Sequence, residues 1–94
     1  MKERDKDLII GAECLERFRD AMALRNMVLT APPESRFICQ SGPGLFSLTS
    51  EQLLREAKFE IIVSIATLRK LGFPNLANSM LDFYRHSQRS ISLN

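Results

Sequence analysis

Tryptophan is absent from this chain, tyrosine and histidine occur once each, and cysteine occurs only twice in 94 residues. Each scarcity closes a route. Two cysteines cannot build a disulfide scaffold, so the fold must hold by packing, and the cytoplasm is the expected compartment. Cys14, Cys39 and His86 are the only soft metal ligands, and no two are close in sequence. A structural zinc site takes four ligands in closely spaced pairs, so no metal is expected. Buried thiols acting as small hydrophobes are the favoured reading of the cysteines, with a Cys14–Cys39 disulfide as the lesser alternative.

Long apolar runs are missing too. The longest nearly apolar stretch, residues 61–68, is interrupted by Ser64 and Thr67, and a membrane-crossing helix needs about 20 residues. The opening MKERDKDLII is charged where a secretory signal would be apolar, so no signal peptide and no membrane partner are expected. Ser41, Gly42, Pro43 and Gly44 form a glycine-containing turn. The Lys and Ser or Thr that a phosphate loop requires do not follow it, and no cofactor is expected.

Charge of one sign is scarce as well: 13 basic residues stand against 11 acidic ones. The imbalance is local. From residue 69 onward, Arg69, Lys70, Arg85 and Arg89 outweigh Asp82, which suits an anionic partner but falls short of a nucleic-acid-binding tail.

What is present is an ordinary globular balance, with 45% hydrophobic and 26% charged residues, enough for one modest core and one domain over residues 1–94. The strongest local signal begins at Leu48. Thr49 and Gln52 have the spacing of a capping box, flanked by Leu48 and Leu53 as a hydrophobic staple. A helix over about 50–71 follows, with Leu54, Ala57, Ile61, Ile65 and Leu68 in one stripe. Ile62, Val63 and Ala66 widen that stripe until most of the circumference is apolar, which predicts a central helix packed on two faces. Arg69 and Lys70 in the last turn, then Gly72 and Pro74, mark its end. Pro74 suits the first position of another helix, over about 74–88.

An earlier helix over about 5–29 is predicted from Leu8, Leu15, Met22 and Leu29, spaced by seven, with Phe18 between them. Gly11 interrupts it, and a later start capped by Asp7 is the alternative. Residues 30–48 are the least regular segment. Pro32 and Pro33 stop the first helix, while residues 36–40 and 45–48 look extended and flank the turn. The fold class is therefore all-α, as a three-helix domain with a long central helix, an irregular loop between helices one and two, and room for a minor β-hairpin.

Candidate chemistry is thin. A Cys–His pair lacks an orienting partner and an oxyanion hole. Asp82 and His86, one turn apart, fit a solvated helix surface, as do Glu56 and Glu60. The segment from Leu68 through Gly72 to Leu81 faintly suggests a DNA-reading helix-turn-helix, but Asn78 occupies a position that normally packs. The expected function is a non-enzymatic interaction module, such as an adaptor, inhibitor or regulatory subunit, that binds a protein partner. Phe37 and Phe46 in the irregular loop, and Tyr84, Arg85 and Arg89 on the last helix, are its candidate contacts. Homodimerisation is a further candidate, and a small nucleic-acid-binding regulator is the alternative.

Overall fold

The computed structural model describes residues 3–32, 34–42 and 44–92, with the side chains of residues 3, 4, 39–41, 46 and 89–92 left out. Three helices and one hairpin follow in the order α1 (Glu3–Thr30), β1 (Arg36–Ser41), β2 (Gly44–Thr49), α2 (Ser50–Lys70) and α3 (Pro74–Ser92). The all-α class with a minor hairpin is thus what the chain adopts. The first helix starts two residues earlier than expected and the last runs four residues further.

The ends of α2 show why it sits where it does. The Gln52 amide donates to Thr49 Oγ1 at 3.2 Å, and the Thr49 amide donates to Gln52 Oε1 at 2.8 Å, completing the capping box. At the other end the Phe73 amide donates to the Leu68 carbonyl and the Gly72 amide to that of Arg69. That pair of bonds needs a left-handed residue between helix and exit, and Gly72 supplies it at φ 94°. Phe73 then gives its carbonyl to the Ala77 amide, opening α3 with Pro74 in the first helical position.

Residues 36–49 form a two-stranded antiparallel hairpin, pairing Arg36 with Thr49 and Ser41 with Gly44. Gly42 takes φ 57° in the two-residue turn, the conformation such turns require at their first central position. Pro43 lies outside the described residues. The segment expected to be irregular is therefore mostly paired strand, because alternating extended residues on both sides of that turn can satisfy each other's backbone groups.

Residue numbers rise along α1 as they fall along α2. Ile10, Cys14 and Arg17 border a cleft with Val63, Ser64 and Thr67, and Arg17, Ala21 and Leu24 border another with Glu56 and Glu60. The α1 seam is Gly11, Cys14, Phe18, Ala21, Arg25 and Val28, all buried and spaced alternately by three and four. Ala57, Ile61, Ser64 and Leu68 answer it on α2. This is the heptad spacing of a helix pair. Expectation fails here in part: Phe18 and Met22 are buried, but Leu8 and Leu29 are exposed and Leu15 is only half-buried. Small residues let the helices approach closely, and the large aliphatic ones are left beside the seam.

The third helix returns along α1. Gly11 lies against Phe73, the rings of Phe18 and Phe83 meet edge to face at 6.4 Å, and Arg25 reaches Tyr84 and Ser87. Ala77, Met80 and Tyr84 complete one core with Ile61, Ile65 and Leu68. Each fully buried aliphatic side chain, Ile61 and Leu68 above all, contributes about 1.5–3 kcal/mol.

The molecule is flat, 48 × 41 × 13 Å, with a radius of gyration of 15.4 Å. A compact domain of this length has a radius nearer 12 Å, by about 2.2·N^0.38. The hairpin contributes to this spread, for its principal contact with the helices is through β2 against α2.

Candidate protein-interaction surface

Large apolar side chains are exposed at several places: Leu8, Ile9 and Ile10 early in α1, Met27 and Leu29 near its end, Leu76 and Phe83 on α3, and the adjoining hairpin and outer side of α2. On the hairpin, Ile38 is 76% and Leu45 72% exposed. The register puts them on one face of the ribbon, with Arg36 and Ser47, which hydrogen-bond at 2.9 Å. Phe37 and Leu48 oppose each other on the other face and are half-buried. A lone two-stranded ribbon is marginal in water, and apolar side chains on both faces add to its need for cover.

Beside the hairpin lies the outer stripe of α2. Phe59 is 65% and Ile62 49% exposed, and Ala66 is exposed beside them. Expectation placed this helix under neighbours on two faces. In the structure α1 and α3 cover the stripe from Leu53 to Leu68, and the Phe59 side stays open. Where hairpin and helix meet, Leu48, Gln52, Arg55, Glu56 and Phe59 line an open notch of about 430 Å³. Arg55, Glu56 and Phe59 are exposed on its rim, so it would leave a small ligand largely solvated. Its form suits an apolar side chain of a partner surface.

The expected contact residues divide. Phe37 sits at the base of the hairpin. The backbone of Phe46 lies in β2, opposite Cys39, and its side chain is outside those described, as is that of Arg89. Tyr84 is placed inside rather than on the surface: it is 7% exposed and belongs to the core. The Arg25 guanidinium stacks over its ring at 5.4 Å and donates from Nη1 to Ser87 Oγ at 2.8 Å. Gln88 Nε2 donates to the Tyr84 hydroxyl at 2.9 Å. Arg25 is buried itself, and planar, weakly hydrated guanidinium is the cation best suited to such a place. It clasps α1 to α3. Arg85 and His86 are exposed on α3, at the same end of the bundle as the hairpin.

No known protein family, curated protein or solved structure matches this chain.

Other chemistry falls into place around the packing. Cys14 is buried and free. It makes no disulfide, and the side chain of Cys39, its alternative partner, lies outside those described. No group of three or more His, Cys, Asp or Glu side chains that could hold a metal occurs among the described residues. No described helix is long and apolar enough to cross a membrane. Asn78, exposed on α3, accepts from Arg69 Nη2 at 2.7 Å and ties the α2–α3 turn.

Phe59 and Ile62 were hidden in the sequence by their neighbours. A helix apolar around most of its circumference does not declare which side will lack cover. The available signal is the regular spacing of Gln52, Arg55, Phe59, Ile62, Ala66 and Arg69, a second three-and-four alternation beside the first.

Proposed function

We propose that this chain is a non-enzymatic protein-interaction module that binds its partner through the outer stripe of α2 and the adjoining hairpin. The observation that carries this reading is the exposed Phe59 in the notch between hairpin and helix, with exposed Ile62 further along α2 and exposed Ile38 and Leu45 on the opposite face of the ribbon from Leu48. Contiguous exposed apolar patches on small proteins mark places where another macromolecule docks. The binding is that of an adaptor, inhibitor or regulatory subunit, whose action is to occupy a surface.

The test is capture by the purified, tagged chain of proteins from the lysate of its source. Phe59→Glu and Leu45→Ser, each with unchanged helical circular dichroism, should abolish capture, whereas Arg85→Glu should not. Retention of nucleic acid that falls steeply with salt and depends on Arg85 would favour the nucleic-acid alternative instead. Capture indifferent to Phe59 and Leu45 would refute the proposed surface.

A further inference from the structure

We propose that the partner covering this surface is a second copy of the same chain, with the two α2 helices antiparallel about a two-fold axis between Phe59 and Ile62. The inference rests on the reading of that surface as a protein contact. Three observations favour this occupant.

The first is area. The chain exposes 7231 Å² for a mass of 10.7 kDa, whereas a compact monomer of that mass exposes about 5,500 Å². The excess is roughly twice the 800 Å² or so that each partner gives to a standard interface.

The second is spacing. The intervals between Gln52, Arg55, Phe59, Ile62, Ala66 and Arg69 are the same from either end, though the residues differ. A two-fold axis at their centre sets Phe59 against the partner's Ile62, Arg55 against the partner's Ala66 and Gln52 against the partner's Arg69. An isologous interface requires symmetric positions to face each other, and this three-and-four spacing, shared with the α1 seam, allows it.

The third is charge. The first half of α2 carries Glu51, Glu56 and Glu60 against Arg55 and Lys58, while its last turn carries only Arg69 and Lys70. Antiparallel pairing brings the acidic end of each helix to the basic end of the other, with Glu51 nearest the partner's Lys70. Parallel pairing would stack like on like. In the antiparallel arrangement each hairpin, leaving its own α2 at residue 50, extends beside the basic end of the partner's helix, where its exposed apolar side chains gain cover.

Light scattering on the eluting 94-residue chain tests the proposal. The wild type should run at twice 10.7 kDa. Phe59→Glu, on an exposed position that leaves the core intact, should raise the dissociation constant at least about 30-fold, as loss of a central hot spot does. Glu51→Lys and Lys70→Glu should each weaken self-association, and mixing the two variants should restore it as a mixed dimer. A dimer indifferent to Phe59→Glu overturns the proposed face. A wild type that stays monomeric at its solubility limit overturns the second copy. In that event, loss of lysate capture by the Phe59 variant would still uphold the protein-binding surface, and unchanged capture would sink both.

Discussion

Removing a hydroxyl from the centre of this protein should make it more stable. Ser64 is 1% exposed on α2, facing the α1 seam near Cys14, and its Oγ finds no hydrogen-bond partner. Burying such a group without a partner costs about 1–3 kcal/mol. Ser64→Ala removes that penalty and adds up to about 0.5 kcal/mol of helix propensity. It forfeits only one atom's dispersion contacts, each about 0.1–0.2 kcal/mol. The net expectation is a gain of about 1–2 kcal/mol, with each kcal/mol raising Tm by roughly 4–8 °C in a domain of this size. Thermal unfolding followed by circular dichroism, at one fixed protein concentration because self-association would shift Tm, measures it. The mirror change Ala57→Ser puts a hydroxyl at a position 1% exposed on the same stripe and should lower Tm by a similar amount. If Ser64→Ala left Tm unchanged or lowered it, the hydroxyl must be satisfied in solution and the seam between α1 and α2 differs from the one described.

Two glycines should respond with opposite signs. A Cβ on Gly11 would sit 3.5 Å from Phe73 Cε2 and 3.6 Å from Leu68 Cδ2, ordinary contact, so Gly11→Ala should stabilise by about 0.5–1 kcal/mol through helix propensity. Gly72 stands at φ 94°, so Gly72→Ala should destabilise by about 1–2 kcal/mol although nothing crowds it; denaturant midpoints at constant m check both. Thr49→Ala should cost about 1 kcal/mol by unmaking the cap. Gln52→Ala added to it should cost much less than it does alone, because the two side chains cap reciprocally; a double-mutant cycle reads that coupling.

The elements of this fold were legible where local chemistry decides them. The Thr49–Gln52 box, Gly72 and Pro74 each act within a few residues, and the structure places the α2 boundaries and the start of α3 there. The turn at residues 41–44 likewise marked the hairpin. The buried side of α1 was not legible. Leu, Ile and Met occur all around that helix, and beside Cys14, whose burial is expected, the seam runs through Gly11, Ala21 and Arg25, which hydrophobicity alone does not single out. Close approach selected small residues, and Arg25 is admitted because Tyr84 and Ser87, sixty residues on, receive its guanidinium. Tyr84 was misplaced for the same reason: a lone tyrosine among cations looks like surface until its long-range partner is known. The open face of α2 depended on how many neighbours the chain could supply, and three helices supply cover for one side only.

Amide hydrogen exchange, followed by mass spectrometry at low and high protein concentration, tests the central claim most directly. A two-stranded ribbon that is marginal alone should exchange quickly when the chain is dilute and gain protection once its apolar faces and the outer stripe of α2 are covered. The account predicts concentration-dependent protection in β1, β2 and along the whole of α2, with α3 unchanged. Equal exchange of the hairpin at both concentrations, or protection gained in α3 instead, would contradict it.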